Sequence, residues 1–168
     1  MEENSLVKYN GSELDKVNDS FAITNKILKL KKGLPELILI IEQTETTPSV
    51  KCDAQNATIE IKGKMSMSNL LDFETSLFEP LKEWIKAYAE TQVKQTIVHI
   101  QISHITDVGL VGLLNIFKNL EWLHKKSDQL NVYWYYKEEN DALLEVGKNY
   151  AEIIIIPFKI TPYQIGKS

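Results

Sequence analysis

The chain has 168 residues, of which 43% are hydrophobic and 25% charged, values typical of one globular domain with an appended segment. A net charge of −4 disfavours electrostatic binding of nucleic acid. The single cysteine, Cys52, excludes an internal disulfide and suits a reducing compartment. The start of the chain is acidic and polar, unlike a secretory signal, and its longest early apolar run, LPELILII, is too short to span a bilayer. We therefore expect a cytoplasmic protein that binds no nucleic acid and does not cross a membrane.

The first 35 residues mix polar and charged side chains and end at Gly33 and Pro35, which predicts a domain boundary. We expect a divergent N-terminal arm over residues 1–35 and one domain over residues 36–168. Within the domain, ELILIIE (36–42) predicts a short buried strand. The following TETTPSV predicts a loop or edge segment, and NATIEIKGK predicts a strand with one solvated face.

Helical periodicity replaces the strand pattern after Ser68 and continues to about Thr91. Ser68 or Asn69 can cap this helix, and Pro80 predicts a kink or a fresh first turn within it. One face carries the apolar stripe Leu70, Phe73, Leu77, Leu81, Trp84 and Tyr88.

Strand and helix patterns then alternate to the end of the chain. TIVHIQISHI (96–105) predicts a strand whose alternation places His104 on the face of Val98, Ile100 and Ile102, and Ser103 on the other. Leu110 to Leu123 predicts a helix, NVYWYY (131–136) a strand, ENDALLEVGKNYAEI a helix, and IIIIPFKI a final strand interrupted by Pro157. The pattern predicts an α/β fold, a mixed sheet of about five strands with helices mainly on one face.

Ser103, His104 and Asp107 lie close together in the sequence and raise the possibility of a catalytic triad. Neighbouring strand residues point to opposite faces, however, and no G-x-S-x-G elbow presents the serine. His99 and His124 show no metal-ligand spacing, and no phosphate-binding glycine motif occurs. We therefore expect no catalytic residues, no metal and no cofactor. The tryptophans at 84, 122 and 134 are expected at core-facing or partly covered positions.

Thr106 and Asp107 lie where the strand hands over to the next helix, and both are helix-capping residue types. Gly109 in the first turn lets the backbone lie close to whatever docks there. A helix N-terminus also stabilises added negative charge, so a phosphate at this turn would be well placed to switch a surface. These residues alone do not separate a cap from a switch.

Several segments resemble one family in order and spacing. ITDVGLVGLL resembles the strand-to-helix turn of STAS domains, which carry a phosphorylatable Ser or Thr at the start of that helix. The segments IEQTETTPSV, LFEPLKEWIKAYAE, VYWYYKEENDALLEVGKNYAE and IIPFKI resemble SiaC-type regulatory phosphoproteins over residues 37–161.

This resemblance implies a non-enzymatic, STAS-like domain that is toggled by a Ser/Thr protein kinase and a PP2C-type phosphatase. In one state such a protein binds and activates a diguanylate cyclase, which raises cyclic di-GMP and promotes biofilm growth or aggregation. An alternative is a structural or assembly protein that retains the fold without the switch, and a further one is a small enzyme with an unrecognised pocket.

The phosphorylation turn departs from the family pattern, which reads Asn-Thr-Ser-Ser with the threonine as acceptor. The match places Thr106 on the asparagine, Asp107 on the acceptor threonine, and Val108 and Gly109 on the two serines. Asp107 is therefore expected to act as a fixed phosphomimetic, unless Thr106 has taken over as the acceptor one residue earlier. Val108 and Gly109 are expected to line the partner-facing turn.

Overall fold

A computed structural model describes residues 37–166, together with the backbone of two short strands at 5–7 and 27–30. The rest of the predicted N-terminal arm lies outside the described residues. The described strands, all in one sheet, are β1 (Ser5–Val7), β2 (Ile27–Leu30), β3 (Ile38–Ile41), β4 (Ser49–Asp53), β5 (Thr58–Met65), β6 (Thr96–Ile105), β7 (Leu130–Lys137) and β8 (Phe158–Tyr163).

The sheet is mixed, and its strands lie side by side in chain order. Neighbouring strands from β1 to β5 run antiparallel, whereas β5 to β8 run parallel. The predicted α/β class is confirmed. The sheet is larger than the predicted five or so strands, because β4 forms in the expected loop or edge region and β1 and β2 form within the expected arm.

Helices occupy the connections that lead to the parallel strands. They are α1 (Leu70–Phe73), a π-helical turn (Glu74–Phe78), α2 (Glu79–Ala89), α3 (Asp107–Ser127) and α4 (Asp141–Ile153). The Asn69 side chain caps α1 by accepting a hydrogen bond from the Leu71 amide at 2.8 Å. Pro80 lies in the first turn of α2, directly after the π-helical turn, so the regular α-helix is interrupted next to the proline, where a kink or a fresh first turn was predicted. Among the described helices, none is long and apolar enough to cross a membrane.

The core lies between the helices and one face of the sheet. Alternate strand residues point into it, including Ile59 and Ile61 on β5 and Val98 and Ile100 on β6. The helices cover this inner face with Phe73, Leu77, Leu81, Trp84, Leu113, Ile116, Phe117 and Leu120. The other residues of strands β3 to β8 form the outer face, which no described helix covers. Helices on one side of the sheet were predicted, and the burial pattern confirms that prediction.

The last strand begins later than the sequence indicates. Helix α4 continues to Ile153, and β8 starts at Phe158, after Pro157 rather than around it. The Pro157 carbonyl accepts a hydrogen bond from the Val132 amide at 2.8 Å, so the proline still anchors the segment beside β7. The prediction of one strand interrupted by Pro157 is therefore wrong, because the isoleucines before it close the helix and form the connection.

Candidate functional site

The turn between β6 and α3 is anchored by Thr106, which caps the helix. Its hydroxyl oxygen accepts a hydrogen bond from the Gly109 amide at 3.2 Å, and its hydroxyl proton is donated to the Met67 carbonyl at 3.1 Å. The Thr106 amide donates to the Met65 carbonyl at 2.9 Å. Thr106 therefore satisfies a free amide of the helix and ties the turn to the end of β5.

Gly109 brings the first turn of α3 into close contact with that same strand end. A Cβ atom added at this position would lie 2.1 Å from the Met65 carbonyl oxygen, far inside any real contact. Gly109 is buried. The absence of a side chain here therefore lets the helix approach the protein's own sheet, not a partner. Val108, also predicted on the partner-facing turn, is partly buried and packs against the core.

Asp107 is the first residue of α3, and its side chain is exposed. The position lies next to the free amides at the positive end of the helix, where a negative charge is stabilised by about 0.3–1 kcal/mol. Thr106 takes the capping role, so the carboxylate of Asp107 is not needed as the cap. The turn therefore combines a half-buried structural hydroxyl with an exposed anionic group.

A bulge in β6 reorients the residues that precede this turn. Gly63 pairs with Ile102 and Lys64 pairs with His104, which leaves Ser103 as an extra residue on β6. His104 consequently lies opposite Lys64 and is exposed, so the prediction that it shares the buried face of Val98 and Ile102 is wrong. Across residues 37–166, the hydrogen bonds include none that joins the side chains of Ser103, His104 and Asp107.

An apolar groove begins one helical turn beyond Asp107. It has a volume of about 290 Å³ and is lined by Leu110, Val111 and Leu114 of α3 and by Val146, Asn149, Tyr150 and Ile153 of α4. Val111 is 49% exposed and Ile153 is 59% exposed. Residues three and four positions after Asp107 lie on its side of the helix, so the groove and the carboxylate form one surface.

Tyr150 fixes the geometry of this groove. Its hydroxyl donates a hydrogen bond to the Leu110 carbonyl at 2.7 Å and so links α4 to the first turns of α3. Burial raises the pKa of Tyr150 well above its usual value, which keeps the phenol protonated. The groove was not predicted from the sequence, although Val111 and Ile153, which are apolar and lie outside the inward stripes of their helices, could have indicated it.

The histidine, cysteine and tryptophan residues considered in the sequence contribute to packing and hydrogen bonding within the fold. The His124 ring accepts a hydrogen bond from the Leu130 amide at 3.3 Å, and Cys52 is buried in the core, which raises the pKa of its thiol. Trp84 and Trp134 are fully buried and Trp122 is 42% exposed, which confirms the expected positions. In the described part of the chain, no cluster of His, Cys, Asp or Glu is arranged to hold a metal ion.

Comparisons with known proteins agree with this fold. The model of the SiaC family of regulatory phosphoproteins matches residues 41–163. The structure of apo-SiaC from Pseudomonas aeruginosa is 22% identical, with a TM-score of 0.63 over 74% of this chain and 98% of that one. In a second structure from that organism, SiaC is the activator bound to the diguanylate cyclase SiaD; the likeness there is 21% identity and a TM-score of 0.64 over 74% and 99% of the chains. No curated protein matches the chain.

Proposed function

The chain belongs to the SiaC family of regulatory phosphoproteins, and from that membership we propose that it works by switching partners, without catalysis of its own. The proposed partners are a Ser/Thr protein kinase, a PP2C-type phosphatase and a diguanylate cyclase whose product, cyclic di-GMP, controls biofilm growth or aggregation. Support for the cyclase comes from the related activator that was solved in complex with one. The family match begins at residue 41 and so leaves out the proposed arm over residues 1–35, whose strands β1 and β2 join the same sheet.

The observation that carries the proposal is the exposed carboxylate of Asp107 at the start of α3. It occupies the position that matches the family's phosphoacceptor, and a Ser/Thr kinase cannot transfer phosphate to it. The carboxylate supplies negative charge permanently, although with less charge and fewer oxygens than a phosphate. We infer that Asp107 holds the protein in one binding state that relatives reach by changing their phosphorylation.

The groove beside Asp107 supports a role in protein binding. Val111 and Ile153 expose apolar side chains there, and burial of such surface is the main source of affinity between proteins. A charged residue at the edge of an apolar patch contributes mainly to the choice of partner and to the rate of association. Asp107 and the groove together fit a partner that presents apolar side chains beside a basic group.

Thr106 is a weaker candidate for the phosphoacceptor. Its hydroxyl is half-buried and already binds the Gly109 amide and the Met67 carbonyl. Phosphorylation would remove the donated hydrogen bond and disturb a cap that contributes about 1 kcal/mol to stability. We therefore favour Asp107 as the switch position, with Thr106 as its structural support.

Affinity capture from the native cells tests the proposed partner binding. The baits are the wild type, Asp107→Asn, Asp107→Lys and, as a surface control on the same helix, Lys118→Ala. We expect the wild type and the Lys118 variant to recover the same kinase, phosphatase or cyclase, and the Asp107 variants to lose it or to exchange one for another. Identical recovery by all four baits would contradict the switch and favour a structural or assembly role.

Phosphate transfer by the captured kinase tests the choice of residue. We expect no phosphate on the wild type and stoichiometric phosphate on residue 107 of the Asp107→Thr variant. The double variant Asp107→Thr with Thr106→Val separates the two hydroxyls, because phosphate must persist there if residue 107 is the acceptor. Phosphate on Thr106 of the wild type would overturn the fixed-charge proposal and leave the family switch intact but displaced by one residue.

A further inference from the structure

Three aromatic rings lie together on the outer face of the sheet, opposite the helices. The rings of His99 on β6 and Tyr135 on β7 have centroids 5.8 Å apart and planes 19° apart, and Tyr133 lies 6.4 Å from Tyr135 at 20°. The Tyr135 hydroxyl is 3.0 Å from His99 Nδ1, a hydrogen bond that fixes both rings. The three side chains are partly exposed and form a preformed aromatic surface.

Polar groups converge on the edge of this aromatic surface. A depression of about 220 Å³ is lined by Glu60, Lys62, His99, Gln101 and Tyr135. The strand register places Glu60 directly beside His99, and Lys62 directly beside Gln101. A carboxylate, an amide and an ammonium group therefore surround a space with stacked rings on one side.

The outer face is more basic than the chain as a whole. Lys51, Lys62, Lys64 and Lys159 are exposed on its strands, whereas the chain carries a net charge of −4. The outward carboxylates of strands β3 to β8 are Asp53, which accepts hydrogen bonds from Gln55 and Asn56 in the following turn, and Glu60, which lies opposite Lys51, so lysines outnumber carboxylates on this face. A local excess of lysines on an acidic protein favours an anionic ligand at that place.

We propose that this depression is a binding site for a free guanine nucleotide. The base stacks on Tyr135 and His99, an arrangement that aromatic side chains offer to every nucleobase. The carboxylate of Glu60 selects guanine, because it can accept hydrogen bonds from both N1–H and the N2 amino group. Adenine presents a lone pair at N1, which would face the carboxylate unfavourably.

The phosphate is bound by lysine side chains in the same row. Lys62 lines the depression itself, and Lys64 follows it two residues along β5, a separation of about 7 Å for alternate residues of a strand. The site faces away from α3, so the proposal is independent of the partner switch at Asp107. It predicts that the same chain senses a nucleotide on one face and binds a protein partner on the other.

Calorimetric titration of the full-length protein with GMP, AMP, guanosine and a ten-nucleotide single-stranded RNA tests the site. We expect GMP to bind more tightly than AMP, because of Glu60, and more tightly than guanosine, because of Lys62. The RNA should bind no more tightly than GMP. Chemical shifts in ¹H–¹⁵N spectra should change on β5, β6 and β7. Equal binding of GMP and AMP, tighter binding of RNA, or no binding of GMP at millimolar concentration would each overturn the proposal.

Matched variants separate stacking, base selection and charge. Tyr135→Ala should weaken the binding of GMP about tenfold or more, the range for loss of one stacked base. Tyr135→Phe keeps the ring, and its affinity for GMP should stay within about twofold of the wild type. Glu60→Gln should remove about tenfold of the preference for GMP over AMP. Lys62→Ala should lower the affinity for GMP to nearly that for guanosine. Lys118→Ala on α3 should leave both affinities unchanged. Wild-type binding by Tyr135→Ala and Glu60→Gln would place any bound nucleotide elsewhere and contradict the assignment.

Discussion

Replacing Gly109 with alanine is expected to destabilise the protein, although alanine is the better helix former. At an unhindered helix position this substitution stabilises by about 1 kcal/mol. Here the new Cβ would lie 2.1 Å from the Met65 carbonyl oxygen and 3.0 Å from Cγ1 of Ile105. The Met65 carbonyl belongs to the backbone and accepts the Thr106 amide, so it cannot move aside without the loss of that hydrogen bond.

The size of the effect follows from these two opposing contributions. Overpacking costs about 1–3 kcal/mol, and contact with a fixed backbone atom belongs at the upper end. After subtraction of the gain in helix propensity, the net loss of stability is about 2 kcal/mol. For a chain of this length, that corresponds to a fall in Tm of about 4–8 °C.

Urea unfolding followed by tryptophan fluorescence measures this loss, since Trp84 and Trp134 are fully buried and report on the core. Gly112→Ala on the same helix is the matched control. Its Cβ would meet the ring of Phe73 at 3.1–3.2 Å, and a ring can shift by a few tenths of an ångström. We expect the control to remain within about 1 kcal/mol of the wild type. A Gly109→Ala variant as stable as the wild type would refute the close approach of α3 to β5.

Three further changes test other parts of the structure. Thr106→Val should lose about 1 kcal/mol of stability in urea, and Thr106→Ser should recover most of it, because only serine restores the cap; equal losses would contradict the capping role. The pKa of Tyr150 is raised in the folded state, so the stability that its protonated hydroxyl contributes is complete below pH ~10 and declines as pH rises above that value. Tyr150→Phe should therefore make the unfolding free energy fall less steeply above pH ~10, and an unchanged slope would contradict the burial of this hydroxyl. Cys52 is buried, so a thiol reagent should modify it only as fast as the protein opens, and immediate reaction in native buffer would contradict the packing of β4.

Much of the fold follows from local pattern, and its failures have local causes. The long strands show clear alternation, and helices α3 and α4 combine a clear helical period with capping residues, so the existence of these elements was predictable. Strand β4 was not, because Pro48 and the threonines before it indicate a loop, and only Val50 and Cys52 show the alternation. The strands at 5–7 and 27–30 are three and four residues long and lie between polar and charged residues, so their short apolar runs did not stand out, and each is paired with a neighbouring strand of the sheet.

The bulge in β6 shows a second limit of pattern reading. Alternation continues through Ser103 and His104 in the sequence, and nothing on that strand marks the extra residue. The partner strand does carry a signal, since Gly63 lies opposite the bulge with a φ of +126°, a conformation that favours glycine. Recognition of the bulge therefore needed the pairing of β5 with β6, which the sequence alone does not supply.

At the candidate site, the residue types predicted a helix cap and a negative charge, and only the contacts in the structure showed which residue has which role. Thr106 and Asp107 were both possible caps, and only the hydrogen bond from the Gly109 amide to the Thr106 hydroxyl assigns that role to Thr106. The groove between α3 and α4 depends on the packing of two helices that are distant in sequence. Its position could be predicted only by asking why Val111 and Ile153 are apolar outside their inward stripes.

The most direct test of the central claim is the affinity of the purified protein for a diguanylate cyclase encoded in the same genome, measured for the wild type and Asp107→Asn. The substitution keeps the size of the side chain and removes its charge. We predict a change in Kd of about tenfold, the value of one charge-assisted contact, with an unfolding free energy within about 1 kcal/mol of the wild type. Equal affinities for two equally stable proteins would contradict the claim that the charge at residue 107 sets the binding state.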